Sequence, residues 1–315
     1  MFSINAEKNF AGFAFKILTK NTLKSSEYFY FWEMKFAFII NPYSAKKNYQ
    51  PFLESLSKKV ENPLYLVSKS LEDTDDFIHK HWNDVDVFVA VGGDGTISVV
   101  AQKLINTDKI LAVFPAGSGN GFSNENNFNK NISLLLEKLN QKKFRAIDTF
   151  MVNDNFSINV SGTGFDGKVV KEFEKTNRGF KNYIKVSIKT FFNYKPIKIK
   201  FSQENYKQYN GKYLMVNIAN TRQFGNKAYI APMASKSDGL VDLVLVKKFP
   251  LTYSPFFAFR MFTKRLKDDD YVTYLPVSEI EFKVNTKTWH IDGEFKKIKS
   301  PITIKVLPKS LRILV

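Results

Sequence analysis

Between Phe36 and Phe150, five short apolar runs alternate with amphipathic stretches. The runs are FAFII (36–40), LYLVS (64–68), DVFVAV (86–91), ILAVF (110–114) and AIDTF (146–150), and the helical patterns between them lie near 49–60, 72–83, 95–106 and 131–141. Strands that are apolar throughout must be covered on both faces, and strands separated by helices pair in parallel. This half of the chain therefore predicts a Rossmann-like α/β domain with a parallel sheet. Ligands of such sheets bind beyond the carboxyl ends of the strands. Three of the runs end in NPYSA (41–45), GGDGT (92–96) and PAGSGNG (115–121), so these three loops are expected to converge.

After Asp148 the periodicity changes to two. PIKIKF (196–201), EIEFKV (279–284) and PITIKV (301–306) alternate apolar and charged residues, and KYLMVNIA (212–219) and GLVDLVLV (239–246) add further strand. Half-buried strands in series predict a β-sandwich, interrupted by helical insertions near 168–192 and 252–266. The expected division is an α/β domain over 34–148 and a sandwich over 149–307, with 308–315 returning to the first domain. Residues 1–33 carry no strand or helix period. They are expected to form a poorly ordered extension, or to follow from an upstream start codon chosen in error.

A net charge of +17 favours an anionic partner, whether nucleic acid, a phosphate-rich ligand or an anionic membrane surface. The same lysines could serve only solubility. No apolar run approaches the roughly 18 residues of a membrane span, and the first twenty residues lack the core of a signal peptide. With no cysteine there is no disulfide framework and no thiolate metal site, which suits a reducing cytoplasm.

In GGDGT, one carboxylate stands among three glycines where an apolar strand passes into a helix. A helix cap needs one Asp, Ser or Thr, not three glycines with both Asp94 and Thr96. Packing is not expected to require the glycines either. The alternative is a polyphosphate cradle of bare backbone N–H groups at a helix N-terminus, with Asp94 near a metal ion or a reacting hydroxyl. PAGSGNG repeats the device around Ser118, and could also be a plain surface loop. No GxxxxGK[ST] occurs, so an ordinary P-loop is excluded.

Taken in order, IINPYSAKK (39–47), VGGDGTISVV (91–100), FPAGSGNGFS (114–123), GTGFDGKVV (162–170), and SDGLVDLVLV (237–246) with HIDGEF (290–295) resemble the diacylglycerol and sphingosine kinase superfamily of lipid kinases. The resemblance covers the chain from Met34 onward. It implies ATP-dependent phosphorylation of a lipid hydroxyl in a cleft between a nucleotide-binding α/β domain and a lipid-binding β-sandwich. By the same resemblance Asn41, Pro42, Ser44 and Ser68 lie against the nucleotide, and Gly92, Gly93, Gly95, Thr96, Gly117 and Ser118 hold its phosphates. Mg²⁺ falls to the Asp238 carboxylate with the backbone of Ser235 and Leu240, and Asp292 and Glu294 supply a base or a nucleotide contact. Asp94 and Asp292 both stand as candidate bases. Asp166 either binds the acceptor's polar head or closes an Asx turn. PAGSGNG replaces the PLGTxND usual in bacterial diacylglycerol kinases and looks closer to sphingosine and ceramide kinases, so the lipid is left open.

Other readings compete. An NAD kinase also uses GGDG but is expected to carry an NxGxxGFL-type loop. A nucleic-acid binder is suggested by charge alone, and a non-catalytic lipid sensor would not need Asp94, Asp238, Asp292 and Glu294. His79, His81 and His290 are expected to be solvated or packed. A peripheral attachment to anionic membranes is expected from Lys171, Lys175, Arg178, Lys185 and Lys189, which share one face of 168–192 if Gly179 leaves that helix unbroken, with the aromatic residues of 251–266 nearby. A homodimer is left open.

Overall fold

The computed structural model describes residues 35–44, 48–176 and 179–315. The expected extension over 1–33, Arg178, and the lysines of IINPYSAKK lie outside the described residues.

The first half runs β1 (Phe36–Ile40), α1 (Gln50–Ser57), β2 (Tyr65–Val67), α2 (Leu71–Lys80), β3 (Val87–Gly92), α3 (Asp94–Leu104), β4 (Ile110–Pro115), α4 (Gly121–Glu125) and α5 (Ile132–Gln141). Strands β2, β1, β3 and β4 pair side by side in parallel. Strands β1 and β3 are buried at every position, as a sheet covered on both faces requires. The helices start where the sequence supplies signals. Ser70 accepts the Asp73 N–H ahead of α2, and Asn131 accepts the Ser133 and Leu134 N–H groups ahead of α5.

The second half contains β5 (Phe144–Val152), β6 (Asn155–Ser157), β7 (Val160–Gly164), α6 (Phe165–Phe173), α7 (Phe180–Asn193), β8 (Ile197–Phe201), β9 (Gly211–Tyr213), β10 (Met215–Ala219), β11 (Val241–Val246), α8 (Ser254–Phe262), β12 (Val272–Val277), β13 (Glu279–Val284), β14 (Thr288–Ile291), β15 (Glu294–Lys297) and β16 (Ile302–Leu314). A six-stranded antiparallel sheet, ordered β12-β11-β10-β7-β14-β15, faces the antiparallel part of the other sheet. Phe150, Ile199, Phe282 and Ile304 from one sheet, with Val216, Leu243 and Trp289 from the other, form their shared core. The molecule thus joins an N-terminal α/β domain to a C-terminal antiparallel β-sandwich.

Strand β16 ties the two together. Its first half pairs with β13, and its last residues pair in parallel with β4, where Arg312 and Ile313 lie opposite Ile110 and Leu111. The run AIDTF, expected as a fifth parallel strand, instead lies in β5, antiparallel to β16 along its length.

One helix expectation fails. The segment 168–192 is not continuous: Gly179 at φ +145° separates α6 from α7. Lys171 lies over the Phe295 ring at 5.3 Å, and Lys175 is ion-paired with Glu172 at 2.9 Å. These two lie in or just after α6, whereas Lys185 and Lys189 lie on α7, a separate helix. No helix among the described residues is long and apolar enough to cross a membrane.

Candidate active site

Because β1, β3 and β4 are neighbours, the loops that follow them meet at one edge of the sheet. Asn41 joins the first to the second: its Nδ2 donates to Thr96 Oγ1 at 2.9 Å, while its Oδ1 accepts the Tyr43 N–H. Pro42 and Ser44 complete that turn, with the Ser44 N–H on the Asn41 carbonyl. Ser68 follows β2 on the far side, its hydroxyl occupied by the Ser70 carbonyl and the Thr74 hydroxyl.

Some glycines of the second and third loops answer to packing, contrary to the sequence expectation, though Gly119 does not. A methyl group at Gly117 would stand 2.6 Å from the Gly93 Cα, and one at Gly92 would stand 2.4 Å from Thr96 Oγ1. At Gly95 it would stand 2.1 Å from Glu294 Oε1. The loops press backbone against backbone, and Glu294 crosses from the sandwich to lie over Gly95. Ser118 is exposed at the tip of the third loop.

Asp94 binds these loops. Its carboxylate accepts the Gly121 and Phe122 N–H groups, both at 3.1 Å, and so caps α4 from the start of α3. Burial pushes the carboxyl up to about 6, with the charge of Asp292 adding to the rise and the two amides opposing it.

Asp292 and Gly293 form the two-residue turn between β14 and β15, at φ +48° and +87°. Asp-Gly is a strong signal for a hairpin turn needing two positive φ angles, so the DGE motif is also a fold instruction. The Asp292 carboxylate is saturated. Oδ1 accepts Ser157 Oγ at 2.7 Å and the Asn159 N–H at 2.9 Å, and Oδ2 accepts the Ile158 N–H and Ser98 Oγ, both at 3.1 Å. Burial nevertheless holds this carboxyl above the ordinary range. The bond from Ser98 brings Asp292 to the first turns of α3, beside Asp94. Sequence reading missed Ser98, Ser157 and Asn159, since nothing local marks a partner 194, 135 or 133 residues away.

Asp166 opens α6 and is buried. Its Oδ1 accepts the N–H of the very next residue, Gly167, at 2.7 Å, not the N–H two residues on that an Asx turn requires, and its Oδ2 meets Asn217 Nδ2 and His290 Nε2, the latter at 3.0 Å. His290 Nδ1 accepts the Gly293 N–H at 3.3 Å, which assigns the ring proton to Nε2, facing Asp166. His290 is therefore neither solvated nor merely packed but paired with a carboxylate.

Ser235, Asp238 and Leu240 occupy the loop before β11. Asp238 Oδ1 accepts the Leu240 N–H at 3.1 Å, and the Gly239 N–H anchors the loop on buried Asp148 at 2.7 Å. Burial, then the charges of Asp238 and Asp268, push Asp242 up to about 6. Among the described residues no group of three or more His, Cys, Asp or Glu side chains could hold a metal ion. A cation at this loop would rest on Asp238 and backbone carbonyls.

The diacylglycerol kinase catalytic domain model matches residues 35–152, and that of the YegS C-terminal NAD kinase beta sandwich-like domain matches 159–315. The chain belongs to the diacylglycerol kinase family of lipid kinases. A diacylglycerol kinase of Bacillus subtilis strain 168 is 25% identical over 273 residues, 82% of this chain and 88% of its own. A Staphylococcus haemolyticus protein provisionally named a lipid kinase is 28% identical over 243 residues, covering 74% of this chain and 77% of that one. A crystal structure of a diacylglycerol kinase from Bacillus anthracis superposes with a TM-score of 0.67 at 19% identity, over 89% of this chain and 96% of that one. At that identity the superposition speaks for the fold alone, and the family assignment makes the chain a kinase.

Proposed function

We propose that this kinase transfers the γ-phosphoryl group of ATP to a hydroxyl of a membrane lipid of the diacylglycerol or sphingoid and ceramide type. The observation that carries the reading is the convergence of the Asn41, Asp94 and Gly117 loops at one sheet edge, with Glu294 laid over Gly95 from the other domain.

In this reading the start of α3 and the Ser118 loop receive the nucleotide phosphates, with Gly92, Gly93, Gly95, Thr96 and Gly117 shaping the cradle. Asn41, Pro42, Ser44 and Ser68 line the nucleotide side. Phosphoryl transfer asks the protein mainly for position and charge neutralisation. Asp94 takes the hydroxyl proton, because its oxygens accept fewer donors than those of Asp292 and keep a lone pair free. Asp292 braces the domain junction, and Glu294 meets the nucleotide. Asp166, oriented by His290 and Asn217, faces the acceptor's head. Asp238 with the Ser235 and Leu240 carbonyls offers the hard oxygen donors Mg²⁺ prefers, and a cation there would relieve the crowded charge at Asp242; when bound it neutralises phosphate charge.

Purified protein with labelled ATP, Mg²⁺ and a panel of diacylglycerol, monoacylglycerol, sphingosine and ceramide tests this. Label is expected in one lipid class and lost with Asp94→Asn. Label in NAD instead, or in no acceptor, overturns the reading.

A further inference from the structure

Among the described residues, seven of the twelve exposed large hydrophobic side chains lie on or beside two helices, α7 and α8. On α7, Ile184, Ile188 and Phe192 recur every fourth residue on one outward stripe, the last two with 57% and 60% of their surface exposed. Lys181, Lys185 and Lys189 repeat the same spacing on the adjoining stripe. On α8, Phe256 and Phe259 each expose about half their surface, and the Arg260 and Arg265 guanidinium groups lie over their rings at 5.3 and 5.9 Å. Phe191 of α7 and Phe257 of α8 both pack on Phe249, at 5.4 and 5.0 Å, so the two helices border one another.

We propose that this joint face of α7 and α8 is a docking surface for an anionic lipid bilayer. Its apolar side chains enter the boundary between headgroups and acyl chains, and its cations meet the lipid phosphates. Charge decides the occupant. Helix α7 carries Lys181, Lys185 and Lys189 with no Asp or Glu, and Lys264 and Arg265 stand exposed just after α8, whereas Arg260 is buried and paired with Asp269. A second copy docked by the same face would set these cations against each other with no carboxylate on α7 or α8 to pair them, whereas an anionic headgroup layer neutralises them. Nucleic acid would meet the charge but leave Ile184 and Ile188 in water. An apolar stripe beside lysines suits the membrane interface.

The position suits the proposed acceptor site. Tyr183 of α7 packs on Phe173 of α6 at 5.5 Å, and Phe191 packs on Phe165 at 5.9 Å. Asp166 is the residue after Phe165, so α7, which carries half of the docking face, packs on the helix that opens at Asp166. The purpose of docking rests on the lipid-kinase reading, but attachment itself needs no turnover.

The test uses the full chain, without nucleotide, and extruded vesicles of phosphatidylcholine with or without half phosphatidylglycerol. Sedimentation with the anionic vesicles is expected, and more weakly as salt rises. Each lysine near such a surface strengthens partition about fivefold, so the triple variant Lys181→Glu, Lys185→Glu, Lys189→Glu should bind about 100-fold more weakly. Ile188→Asn with Phe192→Asn should remove the binding that survives high salt. Ile188→Trp keeps an apolar side chain, and the emission it adds to the parent's should shift to the blue on vesicles and be quenched by brominated acyl chains. Binding unchanged in both loss variants overturns the proposal, as does an added emission that stays unmoved while the Ile188→Trp protein sediments with vesicles. So does a dimer that the apolar variant dissociates in a protein that ignores vesicles. If the variants lose vesicle binding while the parent phosphorylates no lipid, even a short-chain acceptor dissolved in water, docking stands and the lipid-kinase reading falls.

Discussion

Replacing Asp94 with Asn separates what this carboxylate does for the fold from what it does for chemistry. In the folded protein the group titrates near 6, against 3.8 for an unperturbed Asp. A difference of about two units corresponds to roughly 3 kcal/mol. Because the folded value is raised, the associated stability is complete below about pH 3.8 and is lost as pH rises through 6. Asp94→Asn has no charge to desolvate, so it escapes that loss. It incurs another: the amide oxygen can accept from Gly121 or Phe122, but its NH₂ then faces the remaining N–H, at about 1–3 kcal/mol. The variant should therefore melt below the parent at pH 4 and level with or above it at pH 8. The difference in stability should move by about 3 kcal/mol across that interval, and each kcal/mol shifts Tm by about 2–4 °C in a chain of this size. Calorimetry of both proteins at pH 4, 6 and 8 measures it. Lipid phosphorylation should meanwhile fall by about 10²-fold or more, and in the parent kcat/KM should decline as pH drops through about 6. A Tm difference that does not vary with pH would refute the burial argument, and near-parental turnover would refute the proton-acceptor role.

Two further substitutions probe the frame. Gly117→Ala places a methyl 2.6 Å from the Gly93 Cα, a backbone atom that cannot move aside cheaply, so thermal melts should show a loss of about 1–3 kcal/mol together with a large loss of turnover; a parental Tm would mean the loops are not in contact. Asp292→Ala leaves the buried Ile158 and Asn159 N–H groups without their acceptor, at about 1–3 kcal/mol each, so urea unfolding should shift strongly to lower denaturant. A variant as stable as the parent but inactive would assign Asp292 to the chemistry instead.

The layers of the fold were legible because burial writes itself into periodicity. Strands β1 and β3 are apolar at every residue because helices cover both sides, and β8 alternates buried with exposed because only one face meets the core. Strand β16 shows both regimes, alternating at first and then buried more evenly once it enters the α/β sheet, with a register shift between Leu307 and Leu311. What holds that shift was not legible. Asp148 accepts the Lys309 N–H and, on its other oxygen, the Gly239 N–H, partners 161 and 91 residues away. The Asp166–His290 pair is equally distant, at 124 residues. Lys171 and Lys175 belong with Lys185 and Lys189 only if 168–192 is one helix, and Gly179, the residue the sequence itself marks as a possible break, separates α6 from α7. The glycine loops were found for an incomplete reason: their composition marked close approach, but the atoms that approach include the protein's own.

That last point bears on which carboxylate carries the proton. Sequence offers Asp94 and Asp292 as equals, since both sit beside glycine at a turn. Their surroundings differ in how many lone pairs are committed. Four donors occupy the Asp292 oxygens, two of them backbone amides of the segment that joins β6 to β7, so protonating it would oppose a donor with a donor and loosen the domain junction. Asp94 accepts two amides of α4, one on each oxygen, with its own backbone N–H as a further, weaker donor, and so carries fewer donors than Asp292. It can bind a proton on a remaining lone pair while still capping α4, and a value near 6 lets it do so close to neutral pH. The same burial that makes Asp94 costly to the fold thus fits it to receive a hydroxyl proton, while the saturation of Asp292 fits it to hold the two domains around that event.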